Sequence, residues 1–180
     1  MAGSPYFPPL EIAGEILAFD HLEPFVLEMV TQSRPNGVKI DVRFSNHCFS
    51  EAFDAARHGD DRVQVWDGPR QRVFCPIRYG LSLALPHIMD GLPTAHIYQT
   101  PEANFLRIGA RSDGGAGDYR VFFRVRRNAE AGVDLRLFVE SAYSPEPGQA
   151  LAIAHMSKVR FSVLIDKTLK GEKLKFHGKR

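Results

Sequence analysis

The chain has 180 residues, 44% hydrophobic, 24% charged and 11% aromatic, a balance that excludes disordered and fibrous classes and suits one globular domain over 1–180. No run approaches the roughly 20 apolar residues of a membrane-crossing helix, and residues 1–10 lack the basic head and apolar heart of a signal peptide, so a cytoplasmic protein without a membrane partner is expected. The formal net charge of +2 excludes nothing, but its distribution is lopsided: 1–33 carry acids and no Lys or Arg, whereas 156–180 are strongly basic.

Residues 1–9 read as an irregular N-terminus. Over 10–32 the apolar spacing predicts two helices, because Ile12, Ile16 and Phe19 recur at helical intervals. Asp20-His21-Leu22-Glu23 then resembles an N-cap that restarts a helix striped by Leu22, Phe25, Val26, Met29 and Val30. From Val38 the period becomes two, and Val38, Ile40, Val42 and Phe44 mark a strand. Ser50 is expected to cap a short helix through Arg57, closed by Gly59. Alternating runs at 62–66 and 71–75, joined by Asp67-Gly68-Pro69-Arg70, form a hairpin. A helix is expected over 82–89, ended by Asp90-Gly91. Strands follow at 95–99, 104–110, 119–126, 135–140 and 159–166, and the run 172–176 is expected to pair with the last of these. The glycine-rich 112–117 reads as a flexible connection. These elements define an α+β fold of two layers, a mainly antiparallel sheet with N-terminal helices packed on one face.

Cys48 and Cys75 are too few for a disulfide framework. The seven histidines show no pair at metal-binding spacing, and no phosphate-binding glycine loop occurs, so neither a metal nor a cofactor is expected. The cluster Ser45-Asn46-His47-Cys48-Phe49-Ser50 stands where a strand ends. It suits a nucleophilic or phosphate-binding elbow with His47 as acid or base and Cys48 as thiolate, or a turn whose Cys48 is a small core residue. The first alternative would make a Cys48-dependent hydrolase.

The strongest partner signal is an arginine-lined hairpin. Alternation places Arg120, Phe122, Arg124 and Arg126 on one face of a strand and Tyr119, Val121, Phe123 and Val125 on the other, and the returning strand adds Arg136. Guanidinium groups beside an aromatic ring suit phosphates and stacked bases; a charged solvent face suits the same pattern. Lys170, Lys173 and Lys175, with Lys179 and Arg180, extend the basic character into the tail 167–180, where lysines also protect an edge strand.

The segment Asp118-Tyr119-Arg120-Val121-Phe122-Phe123-Arg124-Val125, followed by the apolar strand from Leu135, is similar to the central hairpin of RelE/ParE-like bacterial toxins. The likeness covers 105–141. It places Arg120 at the matching position and implies ribosome-dependent RNA cleavage or gyrase inhibition. The resulting expectation is a cytoplasmic protein contacting RNA or DNA through Arg120, Phe122, Arg124, Arg126, Arg136, Lys170, Lys173 and Lys175. If it cleaves RNA, His47 and Arg120 would be the catalytic groups. The alternative is a non-catalytic module or self-assembling subunit that binds protein through its acidic head and basic tail.

Overall fold

Ala13 and Gly14 decide how the chain starts. In the computed structural model, which describes residues 4–59, 62–100, 102, 104–110, 118–146, 149 and 153–175, both adopt positive φ, 53° and 84°. That pair of values belongs to a two-residue hairpin turn, which joins β1 (Leu10–Ile12) to β2 (Glu15–Leu17). The chain then makes a 3-10 turn at Asp20–Leu22 and enters β3 (Phe25–Met29). The two expected N-terminal helices are therefore absent. The residues that decide are Phe25, Leu27 and Met29, which face inward with period two, while Val26 and Val30 are exposed; the helical stripe had mixed residues of opposite strand faces.

β4 (Val38–Phe44) pairs antiparallel with β3, and its alternation is as the sequence implies. A 3-10 turn at Asn46–Cys48 leads into β5 (Ser50–Ala52) where a short helix was expected. β6 (Gln64–Asp67) and β7 (Arg70–Phe74) form the anticipated hairpin, with Gly68 at φ 56°. They build a three-stranded sheet in the order β5-β7-β6. Two short helices follow, α1 (Pro76–Ser82) and α2 (Leu85–Asp90), each with a proline in its first turn, where the missing N–H costs least.

The remaining strands are β8 (His96–Gln99), β9 (Phe105–Ala110), β10 (Asp118–Arg127), β11 (Leu135–Tyr143) and β12 (Ser157–Arg160). β12 stops at Arg160 because Phe161, Leu164 and Ile165 bury one side of a helix, α3 (Phe161–Lys170). The expected strand over 159–166 is thus mostly helix. Residues 172–175 form no strand, and the rest of that run lies outside the described residues. The glycine-rich 112–117 lie outside them too.

The large sheet has seven strands in the order β12-β8-β9-β10-β11-β4-β3. Its pairs are antiparallel except β11 with β4, which is parallel, Leu135 opposite Ile40 and Val139 opposite Phe44. The architecture is mostly β, 40% strand and 22% helix, with a mixed sheet. This corrects the expected α+β arrangement of N-terminal helices on a two-layer antiparallel sheet. The helices come from the middle of the chain and its C-terminal part, and no described helix is long and apolar enough to cross a membrane.

One face of the large sheet carries the core. Ile40, Val42, Phe44, Tyr119, Val121, Phe123, Leu135, Leu137 and Val139 are fully buried there. Leu81 of α1, Leu85 and Met89 of α2 and Phe161 of α3 join the same cluster, and the Phe161 ring meets Phe123 edge-on at 6.2 Å. Phe7, Phe19 and Tyr79 extend the cluster around Phe49, the Phe19 and Phe49 ring centroids being 4.2 Å apart.

Candidate functional site

The opposite face of β10 and β11 is polar. Strand alternation projects Arg120, Phe122, Arg124 and Arg126 away from the core, and the pairing sets Arg124 beside Phe138 and Arg126 beside Arg136. β4 continues the row with Asp41 beside Arg136 and Arg43 beside Phe138. Three carboxylates divide these charges. Asp41 Oδ2 accepts from Arg43 Nε at 2.9 Å and Arg136 Nε at 2.8 Å. Glu130 accepts from Arg136 Nη2 at 2.6 Å and stands 3.7 Å from Arg43. Glu140, placed at the irregularity between β10 and β11, lies 2.8 Å from Arg124 Nε and accepts from Asn104 Nδ2 at 3.1 Å. The bonds to Glu130 and then Asp41 hold the Arg136 guanidinium above its ordinary range.

The expected contact residues therefore have different fates. Arg120 is buried, 6% exposed, and its Nη2 donates to the Gln149 carbonyl at 2.7 Å. Phe122 stacks on Tyr143 with centroids 5.8 Å apart. Arg124 and Arg136 are ion-paired but part-exposed. Arg126 is exposed and meets no carboxylate among the described residues. A groove of about 310 Å³ opens between them, lined by Arg124, Arg126, Arg127, Asn128, Arg136, Phe138 and Glu140.

Arg127 brings the basic tail to this end of the hairpin. Its guanidinium donates to the carbonyls of Thr168 and Leu169 at the C-terminus of α3, where a cation complements the helix dipole. Lys170, Lys173 and Lys175 are exposed just beyond, while Lys167 pairs with Glu172 at 2.9 Å. Two features far apart in sequence, the arginine hairpin and the lysine tail, are neighbours here. Lys179 and Arg180 lie outside the described residues.

His47 occupies the 3-10 turn after β4, where Ser45 Oγ accepts from the His47 backbone N–H at 3.1 Å. Its Nε2 faces Asp67 Oδ2 at 2.9 Å. Burial lowers its pKa below the usual histidine value; Asp67 opposes that shift, and the charges of Arg72 and Arg78 reinforce it. Cys48 beside it is wholly buried, and burial pushes its thiol up to about 12. A thiol so placed is neutral and screened, which leaves no thiolate for hydrolysis at ordinary pH. His47 and Arg120 share no hydrogen bond among the described residues, each being engaged by a different partner, Asp67 and Gln149.

Sequence reasoning passed over Arg72, Arg78 and Tyr143. Arg72 Nε donates to Ser50 Oγ at 2.8 Å and its Nη2 to Ser50 O at 2.9 Å. Arg78 Nη1 donates to Ser50 O at 2.9 Å and His47 O at 3.2 Å, and its guanidinium lies 5.2 Å from the Tyr143 ring centroid. The available signal was Arg72 standing in phase with inward-facing Phe74 in an alternating run. Among the described residues no three His, Cys, Asp or Glu side chains gather to hold a metal ion.

Fold and surface together define a β-rich protein built on a mixed seven-stranded sheet, with an arginine-lined outer face and a second arginine pair beside the turn that follows β4. The chain belongs to the YjaZ family, which residues 9–169 match. No curated protein and no solved structure matches it.

Proposed function

We propose that this protein is a cytoplasmic, non-catalytic binder of single-stranded nucleic acid, RNA or DNA, held along the outer face of β10 and β11. The observation that carries the reading is the convergence of Arg124, Arg126, Arg127 and Arg136 on one groove at the end of the sheet to which Arg127 ties α3 and its lysines. Among the described residues, Arg43, Arg124, Arg126, Arg127 and Arg136 as a group meet the carboxylates of Asp41, Glu130 and Glu140, so the patch keeps an excess of positive charge after pairing. Phe138, 37% exposed in the middle of that charge, offers a face for a stacked base. Both cysteines are free, which suits a reducing compartment.

The RNA cleavage implied by the hairpin's resemblance to toxins would need Arg120 at the substrate, and Arg120 is buried against Gln149. Binding without cleavage needs only the exposed cations. A fluorescent single-stranded RNA titrated across a salt series tests this. Affinity should fall with a logarithmic slope of about −0.7 per phosphate contact. Arg126→Gln and Lys173→Gln should each weaken binding and flatten the slope by about that amount. A flat or absent response overturns the proposal and leaves the patch as a solvated charged face.

A further inference from the structure

The turn that follows β4 gathers more cationic donors than its own oxygens can use. Asn46, His47 and Ser50 present their carbonyls toward one region. Asn46 O accepts from Ser50 Oγ at 2.7 Å, and His47 O accepts from Arg78. Ser50 O accepts from Arg72 Nη2 and Arg78 Nη1, both at 2.9 Å. Two guanidinium groups therefore converge on one neutral oxygen, and they stand close enough for their like charges to repel.

The neighbouring carboxylates do not neutralise them directly. Asp67 is taken by His47 Nε2 at 2.9 Å and Glu51 by His58 Nε2 at 3.2 Å. Among the described residues, neither arginine has a carboxylate within ion-pair distance. Arg72 is 8% exposed, and a buried cation facing only neutral oxygens is a costly arrangement. A guanidinium carries five N–H donors. Ser50 engages two from Arg72, and Ser50 with His47 engages two from Arg78, so that among the described residues both guanidinium groups keep further donors for a shared acceptor. The Tyr143 ring against Arg78 holds that fork in a fixed plane. Part-exposed His47, Asp67 and Arg78 open the pair to solvent.

We infer that Arg72 and Arg78 form a binding site for a phosphate-class oxyanion beside the Asn46–Cys48 turn. A tetrahedral dianion presents enough oxygens and charge to engage both forks at once, whereas a carboxylate fills one. The site shares no residue with the groove of β10 and β11 and stands independently of nucleic-acid binding there. Free phosphate and the terminal phosphate of an oligonucleotide have the same chemistry, so the probes are inorganic phosphate and a short oligonucleotide with either a 5′-phosphate or a 5′-hydroxyl.

Titration of the full chain with inorganic phosphate at constant ionic strength, followed by nuclear magnetic resonance of arginine Nε–H groups, should shift the Arg72 and Arg78 signals saturably. Arg78→Gln should weaken that binding at least tenfold, and Arg126→Gln should leave it unchanged. If a terminal phosphate is the source, the 5′-phosphorylated oligonucleotide should move the same two signals and the 5′-hydroxyl form should not; if free phosphate is the source, inorganic phosphate alone should do so. Absence of a saturable shift at Arg72 and Arg78 in the unaltered chain overturns the site, as does undiminished binding by a folded Arg78→Gln variant. Loss of RNA affinity in Arg126→Gln with phosphate binding intact separates this site from the groove.

Discussion

His21 and His47 both have their pKa values lowered by their surroundings. Ser82 Oγ spends its single proton on Tyr79 O, so His21 Nε2–H must donate to Ser82 Oγ at 2.8 Å. Burial is the leading cause that lowers both histidine pKa values, with Asp20 opposing it at His21 and Asp67 at His47. A base whose folded pKa is depressed stabilises the fold above its unfolded value of 6.5, and that stability is lost as pH falls below it. Denaturation midpoints should therefore drop between pH 7.5 and 5.5, before the carboxylates titrate. His21→Gln with His47→Gln should flatten that acid limb; an unchanged limb would refute the assignment. Cys48 shifts the other way. Its thiol, raised from 9.0 to about 12 by burial, should resist a thiol reagent at pH 8 while the chain is folded and react at once in denaturant. Labelling of native Cys48 at the rate of a free thiol would revive the hydrolase reading. His47 and Cys48 could be named from sequence, but whether either was reactive depended on burial, which is set by residues from other strands.

At the scale of elements, glycine marks a boundary that apolar spacing misjudged. The strand expected over 159–166 contains Val159, Phe161, Val163 and Ile165 in alternation, yet Val163 is 40% exposed while Leu164 is buried, and the segment is helical from Phe161. Gly171 ends that helix at φ 73°, the left-handed cap that favours glycine. A Cβ there would stand 3.3 Å from Arg127 Nη2. Gly171→Ala should cost about 1 kcal/mol in a denaturant titration, because it combines an unfavourable φ with pressure on the cap formed by Arg127. No loss of stability would mean that the cap carries little. The N-terminal segment erred in the opposite sense, helix for strand. Leu22, Phe25, Val26 and Met29 fit a helical interval by coincidence, and Ala13-Gly14, the actual turn signal, includes a residue that seldom adopts positive φ.

Across the whole molecule, β11 is the hinge of the architecture. It pairs with β10, which adjoins it in sequence, and with β4, nearly a hundred residues earlier. Leu137 sits between them, fully buried. Leu137→Ala should destabilise by about 3 kcal/mol, and because one cluster unites the helices with the sheet, fluorescence and circular dichroism should report the loss at the same midpoint. Non-coincident transitions would show that the sheet and its helical cover unfold separately.

The alternation of apolar residues along β4, β10 and β11 was legible in the sequence, and with it the inward face of each, because a period of two follows from backbone geometry, whereas β7 and β9 bury consecutive residues such as Val73 with Phe74 and Phe105 with Leu106. The sequence also named the two basic segments, the arginine hairpin and the lysine tail. Folding brings those segments together through Arg127, covers Arg120 on the outer face with Gln149, and sets Arg72 and Arg78 on Ser50. Those outcomes depend on which strands pair and which helix covers them. Such choices are settled by burying the whole apolar surface at once, so the charges on any one strand acquire neighbours that its own sequence does not specify.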